Sequence, residues 1–208
     1  MFIPRHPVVE NQFCSYASQT ATAAAEIGGV VAYAGSVVYL DPAATNQEPI
    51  VKKFTFDTRA AGTPFGFLMQ KVKTGYHQVH PAGYYMPGDL GSSDVIAQPS
   101  YNASGVITGT KAVPVGVAHL GIWDTVHYTT KGGAAAATAM LPGDSLLASI
   151  DESKVTNSDV VTDGADDVAG EYANTTVVAR VVKGASAAKA SANINNTTLY
   201  PIRIKLLI

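Results

Sequence analysis

Between Lys111 and Ser149 the chain carries the pattern that most restricts what it can fold into. Val113, Val115 and Val117 alternate along an extended run, and Leu120, Ile122 and Trp123 continue it. A period of two puts alternate side chains on one face of a strand, whereas an amphipathic helix needs recurrence at three and four. An Ala/Gly-rich excursion from Gly132 to Ala137 follows, and Leu141-Pro142-Gly143-Asp144 closes the segment. Proline fixes φ and glycine supplies the positive φ of a type II turn, so the stretch predicts two sheet segments, a loop between them and a tight turn at the end. Met86-Pro87-Gly88-Asp89 uses the same device earlier, which raises a small β module used twice.

The same reading extends in both directions. Val30 to Tyr33 and Gly35 to Leu40 suggest a hairpin or a glycine-kinked pair, broken at Asp41-Pro42. Lys52 to Thr58 alternates, with Phe54 and Phe56 on one face and Lys53, Thr55 and Asp57 on the other, as a half-solvated strand does. Phe65, Phe67 and Met69 alternate against Gly66, Leu68 and Gln70. Val177 to Val182 is apolar on both faces apart from Arg180. Tyr200, Ile202, Ile204, Leu206 and Ile208 alternate with Pro201, Arg203, Lys205 and Leu207. The Ala/Thr/Ser mixture from Ser18 to Ala25 has no apolar stripe at helical spacing, so a helix there would rest on propensity alone. The expected fold is mostly β, a barrel or sandwich with long loops, an extended N-terminal arm and little helix.

The arm is residues 1–26. Pro4 and Pro7 oppose regular pairing, while Phe2, Ile3, Val8, Val9 and Phe13 give it more apolar surface than a free tail carries. It should lie against its own domain or a neighbouring subunit, and Phe2, Ile3, Arg5 and Phe13 are its candidate contact residues. Residues 27–208 form the β-rich domain, with two candidate modules at about 27–110 and 111–208.

Composition narrows the function. Hydrophobic residues make up 47% of the 208, ample for a core, but charged residues only 14%, against about 25% in soluble domains generally. Thr, Ser, Asn, Gln and small residues, or another protein, must therefore cover much of the surface. The formal charge of -2 and the lack of any Lys/Arg run argue against nucleic acid as a partner. No apolar run approaches the ~20 residues that span a bilayer. The single Cys14 rules out an internal disulfide framework and reads as a small buried apolar residue. Met1 to Glu10 has no apolar segment of the kind an export signal needs, so Asn102-Ala103-Ser104, Asn174-Thr175-Thr176 and Asn196-Thr197-Thr198 read as turn and strand-edge residues, not glycosylation sites.

Two loops stand out by content. Gly75 to Tyr85 gathers Tyr76, His77, His80, Tyr84 and Tyr85 around Pro81 and Gly83. Rings with polar ends suit a sugar or a protein contact, and Tyr76, Tyr84 and Tyr85 are candidate interaction residues. Asp151 to Glu171 is acidic but lacks the alternate oxygen ligands and closing Glu of a calcium loop, so it reads as solvated. None of the histidines, His6, His77, His80, His119 and His127, stands near a carboxylate or cysteine in a known ligand spacing. His77-x-x-His80 is the nearest thing to a metal pair, but structural zinc wants four ligands and Cys14 is distant, and no nucleophile elbow, P-loop or dinucleotide fingerprint occurs. No catalytic residue, metal or cofactor is nominated, and an enzyme is not expected.

Gly28-Gly29-Val30-Val31 leading to Gly35-Ser36-Val37-Val38-Tyr39-Leu40-Asp41, then Val115-Gly116-Val117-Ala118, Leu141-Pro142-Gly143-Asp144-Ser145-Leu146 and Val178-Ala179-Arg180-Val181 resemble the layout of tailed-phage head decoration (cement) proteins. In that family small β-barrels begin with an Ala/Gly-rich strand, carry a Val-Gly-Val-Ala strand and turn through Gly-Asp into another strand. The resemblance runs from about Gly28 to Val182, and the Tyr/His and acidic loops are extra material. It implies a structural virion protein, assembled in the host cytoplasm, that sits on the capsid surface and stabilises the shell. Its partners would be the major capsid protein and itself, as a homotrimer, with no membrane, nucleic acid or cofactor. A tail-tube subunit and a carbohydrate-binding β-sandwich or adhesin using the Tyr76 to Tyr85 loop are the alternatives.

Overall fold

Strands account for nearly all the regular structure because the alternation is real in three dimensions. Val113, Val115 and Val117 are buried on one face of a strand at Val113–Leu120. Ile202, Ile204 and Leu206 are buried while Arg203 and Lys205 face outward. The computed structural model describes residues 2–5, 10–17, 30–42, 44, 49–54, 63–74, 94–129, 140–149, 153–157, 173–185 and 200–208. Among these the fold is all-strand, with no helix.

Seven strands form the larger sheet: β1 (Phe2–Pro4), β12 (Ile122–Thr125), β17 (Ile202–Leu206), β16 (Ala173–Lys183), β14 (Ser145–Ser149), β15 (Val155–Thr156) and β13 (Tyr128–Thr129), in that spatial order. Five others close a barrel: β11 (Val113–Leu120), β2 (Glu10–Tyr16), β5 (Ile50–Lys53), β4 (Val37–Leu40) and β6 (Pro64–Leu68), with β11 pairing both β2 and β6. A three-stranded sheet joins β3 (Val30–Ala32), β7 (Lys71–Thr74) and β8 (Asp94–Ala97), and β9 (Pro99–Tyr101) pairs β10 (Ile107–Thr110) as a hairpin.

β4, β6 and β11 form a wall between two cores. Phe67, Val37 and Ala118 pack toward the seven-stranded sheet with Trp123, Phe54, Met140, Ile202 and Ile204. Their chain neighbours Leu68, Val38 and Val117 point the other way, into the barrel with Val51, Val115 and Tyr16. Successive strand residues face opposite sides, so a wall with a core on each side must be apolar at every position. That is why these segments show no polar alternation.

Glycines and a bulge set the departures from simple alternation. Gly35, at φ +94°, takes the chain out of β3 into β4, and these strands pair with different sheets, not with each other. Between Val38 and Tyr39 the β4–β6 register slips, so Phe65 is an extra residue. Phe65 therefore packs against the barrel core and Phe67 against the other, which corrects the expectation that they share a face. The Pro142-Gly143 turn forms as read, with Gly143 at φ +96° and Asp144 N–H donating to Leu141 O at 3.1 Å. Asn102-Ala103-Ser104 is the tip of the β9–β10 hairpin, where Asn102 Oδ1 accepts from Ser104 N–H at 3.0 Å and Val106 N–H at 2.9 Å. The Met86 to Asp89 turn, the Ser18 to Ala25 stretch and the Gly132 to Ala137 excursion lie outside the described residues.

Candidate functional site

The first residues are knitted into their own chain. β1 runs antiparallel to β12, with Phe2 opposite Thr125 and Pro4 opposite Trp123. Phe2 is buried and stacks on Trp123 at 4.4 Å and on Phe67 at 5.8 Å between ring centroids, so one ring ties the sheet to the barrel wall. Ile3 is half-buried. Arg5 N–H donates to Ile122 O at 2.7 Å, and its Nε donates to Asp124 Oδ2 at 2.6 Å. Phe13 belongs to β2, opposite Gly116 of β11, and is 79% exposed on the barrel's outer wall. Of the four candidates in this stretch, Phe2, Ile3 and Arg5 meet around β12, and Phe13 stands apart on the barrel. Tyr76, Tyr84 and Tyr85 lie outside the described residues, as do His6, His77, His80 and most of the Asp151 to Glu171 stretch.

Asp124 is the best-held charge. Arg203, its register partner on β17, donates through Nε to Oδ1 at 2.8 Å, while Arg5 takes Oδ2. Burial alone would raise the carboxyl's pKa, but the hydrogen bonds and positive charges of Arg203 and Arg5 outweigh it and hold it below the usual carboxylate range. A second partly buried pair, Lys52 Nζ to Asp41 Oδ2 at 2.7 Å, clips β5 to the end of β4.

A polar junction lies where the barrel meets the sheet. Ser36 Oγ is 3.1 Å from His127 Nε2, and His127 N–H donates to Thr125 Oγ1 at 3.0 Å. Tyr33 leans on the His127 ring at 5.3 Å. Ser153, at φ 58°, accepts from Val37 N–H at 2.8 Å and donates through Oγ to Phe54 O. A serine beside a histidine can become a nucleophile when a substrate reaches it. Here Ser36 is fully buried, so the pair serves to satisfy polar groups at the junction. Gly35 belongs to the same arrangement: a Cβ there would stand 2.9 Å from Thr125 Oγ1 and 3.3 Å from His127 Cβ.

Cys14 is buried inside the barrel, and burial pushes its thiol pKa up, away from the reactive thiolate. Among the described residues no group of three His, Cys, Asp and Glu could hold a metal ion.

One feature escaped the sequence. No run of Lys or Arg exists, yet pairing of β12, β17 and β16 gathers Arg5, Arg203, Lys205, Arg180 and Lys183 on the outer face of the seven-stranded sheet. The alternation of Arg203 and Lys205 with buried neighbours was a visible half of the signal; the partner strand was not. Neither family models nor curated proteins nor solved structures match this chain.

Proposed function

We propose that the protein is a structural virion subunit that binds the outer surface of a tailed-phage capsid and stabilises the shell. The observation that carries the reading is where the segments of the resemblance fall. Val115-Gly116-Val117-Ala118 lies in a strand of a closed barrel, and Gly143-Asp144 turns directly into β14. Val37 to Leu40 and Val178 to Val181 lie in β4 and β16. A role of this kind needs broad contact faces more than a pocket. Such faces gain affinity from apolar area, at roughly 25 cal/mol per Å² removed from water.

Low charge, 14% of residues, suits such faces, and the exposed Phe13, Leu120 and Leu141 supply apolar contact points. Among the described residues of the 1–26 stretch, Phe13 is the exposed ring that can meet a neighbour, since Phe2 is committed to the interior. Light scattering of the purified chain, followed by co-sedimentation with emptied tailed-phage capsids, tests the proposal. Trimers that pellet with shells are the expected result. Monomers that stay in the supernatant would sink it, and rings or fibres formed by the chain alone would transfer the reading to a tail tube.

A further inference from the structure

The outer face of the seven-stranded sheet carries an unresolved electrostatic conflict. Arg180 on β16 is the direct cross-strand partner of Lys205 on β17, and Lys183 is the partner of Arg203. Paired residues project to the same face, and like charges directly opposite each other destabilise a sheet. Arg180, Lys183 and Lys205 are exposed and form no ion pair with any described residue. The nearby carboxylate, Asp124, has both oxygens engaged by Arg5 and Arg203.

Lysines on sheet edges are ordinarily there to prevent edge-to-edge association. That explanation does not reach this case, because β17 and β16 are the third and fourth of seven strands. The chain keeps one repelling pair that no described carboxylate balances, Arg180 with Lys205, and a further exposed cation, Lys183, in the middle of its largest sheet, in a protein whose formal net charge is -2. A local conflict of this sort marks a surface completed by something else.

We infer that this face docks a carboxylate-rich protein surface, with Arg180, Lys183 and Lys205 pairing to its acidic side chains. Apolar residues share the face: Val182 is 43% exposed and Leu207 44%, with Ile122 half-buried beside Lys205. Cations interspersed with aliphatic side chains match a protein surface better than a phosphate backbone, which rewards continuous positive charge. Acidic partner groups would neutralise Arg180, Lys205 and Lys183 at once, and Val182 and Leu207 would lose water at the same contact.

The test uses the full chain and labelled poly-L-glutamate, with duplex DNA as the competing probe. Binding to poly-L-glutamate that weakens steeply with added NaCl is expected. The combined Arg180→Ser, Lys183→Ser and Lys205→Ser variant should lose about tenfold in affinity, the worth of three exposed ion pairs. A Lys53→Ser and Lys111→Glu variant, equal in charge but changed elsewhere, should keep it. Without ligand, the first variant should unfold at the same temperature as the parent or higher, because repulsion has been removed. A lower unfolding temperature would mean that these cations serve the fold, and would overturn the inference. So would absence of poly-L-glutamate binding, tighter binding to DNA, or a salt-sensitive dimer of the chain alone that the first variant abolishes, which would make a second copy the occupant.

Discussion

The two cores on either side of the β4–β6–β11 wall are built from different side chains. Toward the seven-stranded sheet lie Trp123, Phe2, Phe54, Phe67, Met140, Leu146, Ile202 and Ile204. On the barrel side lie Val38, Val51, Val113, Val115 and Val117 with Leu68, Cys14 and Tyr16, and the three-stranded sheet adds Val31, Ala32 and Val72. The reason is room. A five-stranded barrel has a narrow interior that β-branched residues fill, whereas a sheet packed face to face on another layer leaves about 10 Å, enough for rings. The wall strands obey both demands at once, so Phe67 and Leu68, or Ala118 and Val117, are neighbours in the chain that answer to different geometries.

The sharpest way to break this contrast is to empty each side in turn. Phe67→Ala removes a fully buried ring that also supports Phe2, and should cost about 3–5 kcal/mol. Val115→Ala in the barrel deletes less, and should cost about 1.5–3 kcal/mol. Denaturant unfolding measures both. Equal losses, or a larger one for Val115, would show that the ring core is not the principal support of the fold.

Overfilling probes the wall itself. A Cβ on Gly66 would overlap Val117 Cγ1 and stand 2.9 Å from Ala118 O, so β6 and β11 can approach only because position 66 has no side chain. Gly66→Ala should cost about 1–3 kcal/mol. Adding Val117→Ala makes space on the barrel side, so the double variant should lose measurably less than the two single losses added together. Strict additivity would place the strain at the Ala118 carbonyl and the His119 ring, 3.1 Å away, and not at Val117.

These differences explain what the sequence could and could not disclose. Ile202, Ile204 and Leu206 alternate cleanly because one face is wet, and the strand is legible from its own residues. Val37 and Val38 are both buried, so the sequence announces a strand but not which core each side chain enters. Phe65 and Phe67 look like one face, and only the β4 register shows the extra residue that separates them. The gathering of Arg180 with Lys205, and of Ser36 with His127, depends on pairings across long stretches of chain that no local pattern encodes.

Acid should distinguish the outward side of the sheet from its interior. Asp124 has a carboxyl pKa depressed in the folded state, because the hydrogen bonds and charges of Arg203 and Arg5 outweigh burial. Its contribution is therefore present above the ordinary carboxylate pKa and is lost as pH falls through the lower folded value. In Asp124→Asn this component of the acid dependence should vanish, while Phe67→Ala should shift the stability curve without changing its slope in acid. Denaturant midpoints measured in steps from neutral pH downward decide the matter, and an unchanged acid slope in Asp124→Asn would remove the ion pairs from the account. Alkali offers the converse. Burial pushes the Tyr128 hydroxyl up to about 12, and stability tied to its neutral form should persist below the ordinary tyrosine pKa and fade toward that value.

The smallest expected effect on stability belongs to Phe13, and it separates fold from surface most cleanly. Phe2 and Phe13 are the same residue type in strands of the same N-terminal stretch, but Phe2 is 8% exposed between Trp123 and Phe67 and Phe13 is 79% exposed. A serine at position 2 should be strongly destabilising, since it removes both ring stacks and leaves a hydroxyl in an apolar site. At position 13 it should change stability by no more than about 0.5 kcal/mol, because that ring is already in water. Thermal unfolding of both variants gives the comparison. Phe13→Ser should nonetheless reduce occupancy on capsid shells if that ring meets a neighbour, so unchanged stability with unchanged occupancy would leave Phe13 a solvated side chain and strike it from the docking surface.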